Sequence, residues 1–165
     1  MYDIISIGSA TRDVFMGLDE FRTIKSDNFS SGTGLGFSLG SKFEIKNIAF
    51  AYGGGGTNAA VTFARQGLKT ACVGAIGGDL NGREILEELE KEGIDTKYFQ
   101  KYSDSDFTAY SVILVDKSGE RTILSYKGEG QHFEFAKISF DQLKSKWLFL
   151  DSLGGHYDLL EGAVN

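Results

Sequence analysis

A chain of 165 residues that is 41% hydrophobic and 24% charged has the size and composition of one globular domain. Its formal charge of −6 argues against a nucleic-acid partner, because phosphate backbones are held by lysine and arginine patches. No apolar run approaches the roughly 20 residues of a membrane-spanning helix, and a single cysteine, Cys72, excludes an internal disulfide and a cysteine metal cage.

Met1-Tyr2-Asp3 runs directly into Ile4-Ile5-Ser6-Ile7, with no basic segment and no small-residue cleavage site, so a cytoplasmic location is expected. Asp3–Gly8 reads as a buried first strand of a parallel sheet, and Arg12–Gly17 as a second short strand. From Leu18 to Lys42 the chain is polar and glycine-studded, which predicts loops and irregular edge strands. Phe43–Tyr52 alternates apolar and polar residues as a strand would, and it delivers the chain into Gly53-Gly54-Gly55-Gly56. Thr57 is expected to cap a helix over Asn58–Gln66 that stops at Gly67.

Leu68–Ile76 is a further apolar strand, with Cys72 as a packed core residue; no nearby histidine or cation would activate its thiol. Asp79 is placed to cap a second helix carrying Ile85, Leu86 and Leu89 and ending at Gly93. Thr108–Val115 and Arg121–Lys127 flank Asp116-Lys117-Ser118-Gly119, a hairpin whose Gly119 suits a left-handed position. Trp147–Leu150 resumes a buried strand ending at Asp151, and Tyr157–Val164 begins another helix. This order predicts an α/β fold: a doubly wound, mostly parallel sheet with helices on both faces. The pattern stops within an unfinished β-α-β unit, as expected of part of a longer protein.

The glycine run ahead of a helix is a place where bare backbone amides can approach a polar ligand. It lacks the Gly-Lys-Ser/Thr ending of a Walker loop and the glycine spacing of the dinucleotide fingerprint. Read from the residues alone, it is a tight strand-to-helix turn before it is a site. Asp13 then reads as a solvated turn residue, Asn58 as a second helix cap and Asp151 as a surface cap on the last helix.

Gly53-Gly54-Gly55-Gly56-Thr57-Asn58-Ala59-Ala60, followed by Gly67 and then Gly77, matches the first signature of the PfkB carbohydrate kinases. The Asp-Ile-Ile-Ser-Ile-Gly opening with Asp13 just after it, Val73–Asp79 with Gly82, and Gly93-Ile94-Asp95-Thr96 are also similar to that family. The hairpin with Asp116, Gly119, Glu120 and Arg121 resembles the family's lid. The chain is thus identified as resembling the amino-terminal portion of a ribokinase-like sugar or nucleoside kinase. The resemblance implies one incomplete ribokinase-like domain over residues 1–165, with Rossmann-type layering and a small β lid formed around 12–52 and 108–130.

It also implies a substrate-binding set. Asp13 would accept hydrogen bonds from a sugar diol, as an acceptor-only carboxylate does well. Gly53, Gly54 and Gly55 would bring backbone amides to the same molecule, and Asn58 a side-chain donor and acceptor. Ser111 would face the substrate from the lid. Asp151 stands where many relatives carry a glutamate that contacts substrate, and Arg121 where some nucleoside kinases have an arginine near the transferring phosphate.

The full-length enzyme would use ATP and Mg2+ to phosphorylate a hydroxymethyl group. The family's catalytic Gly-Ala-Gly-Asp-like turn and its nucleotide and metal segments do not occur here. No catalytic base and no tightly bound cofactor are therefore expected in this chain, and it is expected to be inactive alone. Gly154-Gly155-His156-Tyr157-Asp158 has the wrong spacing to replace that turn, and neither His132 nor His156 has a partner at useful spacing. The expected partner is a small sugar or nucleoside, not nucleic acid or membrane, with a homodimer through the lid as a further candidate. Two readings compete with the kinase: a non-catalytic sugar-binding or regulatory module, and a structural domain that associates through its lid.

Overall fold

The computed structural model of the protein describes residues 1–17, 22–103, 106–131, 138–151 and 157–164. His132, Gly154, Gly155 and His156 lie outside the described residues.

The centre of the molecule is a three-stranded parallel sheet of order β11-β1-β6, formed by β1 (Tyr2–Ile7), β6 (Thr70–Val73) and β11 (Ser145–Leu150). β1 is the middle strand and is covered on both faces, which is why its sequence is a nearly continuous apolar run rather than an alternation. On one face Cys72 packs with Ala60 of α1 (Gly55–Arg65) and with Ile85, Leu86 and Leu89 of α2 (Leu80–Lys91). On the other, Ile5, Ile7, Ala71 and Val73 pack with Leu143, Ile138 and Phe140. The helix α3 (Tyr157–Val164) reaches this second face, where Gly162 lies against the Phe140 ring. Helices therefore lie on both faces, as the element order predicts. Each fully buried isoleucine here contributes about 2 kcal/mol of transfer free energy. Burial also pushes the Cys72 thiol up to about 12, so it is an inert core group.

A second sheet of four strands, order β10-β9-β2-β5, is made of β2 (Thr11–Gly17), β5 (Asn47–Gly53), β9 (Ala109–Val115) and β10 (Arg121–Tyr126); it holds the segments expected to form a lid and is called the lid sheet. β2 pairs antiparallel with β5 and parallel with β9, and β9 and β10 make the predicted hairpin around Gly119, whose φ is 87°. The 18–42 stretch, expected to hold loops and irregular edge strands, contains a hairpin of β3 (Arg22–Lys25), exposed throughout, and β4 (Thr33–Gly36), mostly half-buried. The apolar run 68–76 breaks at Gly74, where the Phe99 ring and the Gly8 carbonyl leave no room for a side chain; β7 (Ala75–Ile76) then pairs with β8 (Gln100–Lys101).

Two contacts fix the lid to the core. Asp79 caps α2 by accepting from the Gly82 amide at 2.9 Å and also accepts from the Thr108 hydroxyl at 2.5 Å, just before β9. Arg12 at the root of β2 stacks over Tyr52, 4.5 Å from the ring centre, and pairs with Glu84 of α2 at 3.6 Å. Among the described residues no helix is long and apolar enough to cross a membrane.

Candidate functional site

The helix α1 begins one turn earlier than its sequence suggests. Gly54, not Thr57, is the N-cap residue, and Thr57 is the buried third residue of the helix. Thr57 donates its hydroxyl to the Gly53 carbonyl at 2.7 Å, so it cannot cap. Ser9, in the turn after β1, takes over: its hydroxyl accepts the Gly55 amide at 2.9 Å and its carbonyl accepts the Thr57 amide at 3.3 Å. Gly54 has φ 105° and ψ 142°, a conformation that L side chains avoid, and a β-carbon there would fall 2.3 Å from the Ser9 carbonyl oxygen. The positive helix end and the close β1–β2 turn thus both depend on the glycine run.

Two carboxylates lie against that run. Asp13, in the middle of β2, sits between Ala51 and Ser111 in the lid sheet. Its Oδ2 is so close to Gly53 that a β-carbon on the glycine would lie 2.1 Å away. Burial pushes the Asp13 carboxyl above its ordinary range, and the hydrogen bond from Ser111 offsets part of that rise. Asp151 follows β11, and its amide donates to the Ile7 carbonyl at 3.0 Å, extending the strand pairing by one residue. Its Oδ2 overlies Gly55, where a β-carbon would overlap it at 1.1 Å. Two residues of chain span at most about 7 Å, so both acids stand along one short stretch of backbone, beside the positive end of α1.

The structure therefore gathers Asp13, Ser111, Gly53, Gly54, Gly55 and Asp151 at the junction of lid, helix and central sheet. Asn58 is exposed in the first turns of α1, one turn beyond Gly54 and Gly55 and on their side of the helix. Arg121 stands apart: it is exposed at the start of β10, opposite Val115, which in turn faces Gly17. Four strand residues, about 13 Å, separate Gly17 from Asp13. The amide of Gly55 differs from its expected role, because Ser9 already accepts it. What Gly55 provides is room for Asp151.

Sequence reasoning missed Ser9 and Ser6; the latter donates to the Gly56 carbonyl at 2.7 Å from inside the sheet. The only signal for either was a pair of serines around Gly8 at a strand end, which also fits an ordinary turn. Arg12, masked by its more conspicuous neighbour Asp13, was missed as well. Among the described residues no group of three or more histidine, cysteine or acidic side chains could hold a metal ion.

A nucleoside kinase from Methanothermobacter thermautotrophicus is 29% identical to this chain over 143 residues, covering 87% of the chain and 41% of that protein. A ribokinase from Haemophilus influenzae is 38% identical over 87 residues, covering 53% of the chain and 28% of the relative. The chain thus spans well under half the length of these curated relatives. The crystal structure of Cryptococcus neoformans ribokinase in complex with ADP superposes with a TM-score of 0.70 at 21% identity, over 96% of this chain and 43% of that one, which shows the ribokinase-like fold. The model of the pfkB family carbohydrate kinases matches residues 25–150, and with most of its length inside that match the chain belongs to this family of kinases.

Proposed function

We propose that this chain is the substrate-holding part of a kinase that transfers the γ-phosphoryl group of ATP to a hydroxymethyl group of a sugar or nucleoside. The observation that carries the proposal is the pair of carboxylates against the glycine run, Asp13 at Gly53 and Asp151 at Gly55. The names of the relatives, nucleoside kinase and ribokinase, support the substrate class.

Asp13 has lost part of its water shell to the lid and holds one side-chain hydrogen bond, from Ser111. Sugar hydroxyls donating to its oxygens would replace the lost water, and an acceptor-only group can take two neighbouring hydroxyls at once. Asp151 would receive a further hydroxyl, with Asn58 closing the site from α1. The positive end of α1 offsets the repulsion of two acids held close together. In this reading the residues orient a polyol; the proton acceptor and the phosphate-binding groups belong to parts of the domain outside this chain, and residues 1–165 form its amino-terminal portion. Arg121, about 13 Å along the strands from Asp13, would approach a phosphate only with lid movement.

Thermal shift of the purified chain with a panel of sugars and nucleosides tests the binding half, since a ligand of the folded state raises its midpoint. We expect a rise with the parent chain and none with Asp13→Asn. An Asp13→Asn chain that still responds like the parent would sink the assignment. The purified chain should phosphorylate no sugar with ATP, and robust turnover would show that the division of labour is wrong.

The outer face of the lid supports a homodimer. Ile48 and Phe50 on β5 and Leu124 and Tyr126 on β10 are each more than half exposed there, at the two edges of the same sheet face. Sedimentation should give a dimer for the parent and a monomer for Phe50→Glu combined with Leu124→Glu.

A further inference from the structure

Neighbouring residues of β2 point to opposite faces of the lid sheet, and Arg12 and Asp13 answer to different parts of the molecule. Asp13 lies against the glycine run at Gly53. Arg12 faces α2. In register it lies between Tyr52 of β5 and Tyr110 of β9, and its guanidinium carbon stands 4.5 Å from the centre of the Tyr52 ring and 5.2 Å from that of Phe50. Glu84 of α2 meets both Arg12 and Tyr52: its Oε2 is 3.6 Å from Nη2 of Arg12 and accepts the Tyr52 hydroxyl at 3.5 Å. One acid on the helix thus holds two strands of the sheet. The Arg12 side chain is only 14% exposed, so water screens this attraction less than that of a surface pair, and the flanking rings add cation–π attraction.

The two acids of the site belong to different sheets. Asp13 rides on the lid sheet, whereas Asp151 is tied to the central sheet through the Ile7 carbonyl. Pairing with β5 keeps Asp13 against Gly53, but the span from Asp13 to Asp151 also depends on how the lid sheet is seated on the core. That seating has two anchors on α2. Asp79, its cap, holds Thr108 just before β9, and Glu84, more than a full turn further along, holds the root of β2. Two anchors on one helix fix the tilt of a sheet, which a single anchor leaves free. We propose that Arg12 and Glu84 are positioning residues whose ion pair sets the span between Asp13 and Asp151, and with it the affinity for a ligand that bridges the two acids. The proposal rests on the reading of those acids as acceptors for ligand hydroxyls. Neither Arg12 nor Glu84 touches the ligand. Without the pair the sheet keeps its Asp79–Thr108 joint and swings about it, so that part of the binding free energy goes into restoring the span.

Calorimetric titration of the 165-residue chain with ribose and with adenosine, beside thermal melting of the unliganded chain, tests this. Arg12→Met keeps an unbranched side chain against the rings but no charge, and Glu84→Gln keeps an acceptor for the Tyr52 hydroxyl but no charge. Each should weaken binding of the tighter of the two ligands by about three- to tenfold and move the unliganded midpoint by no more than about 2 °C. The double variant should bind no more weakly than the weaker single variant, because both changes remove the same contact. Arg12→Lys, which restores a cation without the planar fork, should fall between the parent and Arg12→Met. Full affinity in both single variants, losses that multiply in the double variant, or losses that come with a large fall in midpoint overturn the positioning role while Asp13 keeps its own. Asp13→Asn should abolish binding. Retention of both ligands by Asp13→Asn overturns the underlying assignment of Asp13, and so does failure of the parent to bind either at millimolar concentration.

Discussion

The two sheets of this protein use strands in opposite ways. In the central sheet β1 and β6 are buried almost throughout, with Ile5, Ile7, Ala71 and Cys72 at 0% exposure. In the lid every residue of β10 is exposed, as are the first four of β5. The central sheet spends its side chains on packing and so fixes the glycine run and Asp151. The second sheet packs the residues of its middle strands, among them Val14, Ile113 and Leu114, and leaves those of its edge strands exposed; in the proposed reading one of its faces serves a ligand and the other a second copy. The difference is sharpest in mutational cost. Ile5→Ala should lower stability by about 2–5 kcal/mol, the range for a core cavity. Leu124→Ala, measured dilute enough to be monomeric, should change it by no more than about 0.5 kcal/mol. Urea denaturation giving similar losses for both would show that the lid is as integral to the fold as the core.

Asp79 joins the two regions, and its removal is the next largest effect. Burial alone would raise its carboxyl, but the Thr108 hydroxyl and the amides of Gly82 and Thr108 outweigh it and hold the group below the ordinary carboxylate range. Asp79→Ala removes a helix cap and strands the Thr108 hydroxyl, which also accepts the Gly77 amide at 3.1 Å; the expected cost is about 1–2 kcal/mol. A carboxyl lowered on folding contributes stability above its unfolded value, and that contribution is lost as pH falls through the folded one. The gap between parent and variant should therefore be full at neutral pH and narrow only below about pH 4. A gap that stays constant down to strongly acid pH would remove Asp79 as the joint.

How much of this was readable from the residues follows the same division. Apolar continuity in Ile4–Ile7 marks a strand buried on both faces, and Asp79, Gly93 and Gly119 mark ends and turns with one dominant physical use each, so those elements came out within a residue or two, whereas the run Leu68–Ile76 read as one strand is split at Gly74 between two sheets. The start of α1 did not. Four glycines carry no propensity of their own, and the helix end is set by Ser9, 45 positions before Gly54, through contacts that no local pattern contains. The site divides likewise. Asp13, Gly53 and Asn58 stand out because spaced positions around them match a family signature. The packing of Asp151 on Gly55 and the pairing of Asp13 with Ser111 depend on strand register, which a sequence of glycine-interrupted strands leaves open.

The smallest effect separates a site from a scaffold most cleanly. A carboxyl raised on folding costs the folded state something wherever it is ionised. The protein gains relative stability as pH falls towards the unfolded value and loses it as pH rises through the folded value. Asp13 is such a group, raised by burial despite Ser111, whereas a residue kept for stability would be lowered, as Asp79 is. In the absence of ligand, Asp13→Asn should therefore leave the chain as stable as the parent or slightly more stable at neutral pH, with the advantage shrinking on acidification. Saturating ligand should reverse the order, because only the parent then gains binding free energy. Thermal midpoints measured across pH, with and without adenosine, check both signs. An apo Asp13→Asn chain clearly less stable than the parent at neutral pH would mean that Asp13 holds the lid together and is not held in reserve for a ligand.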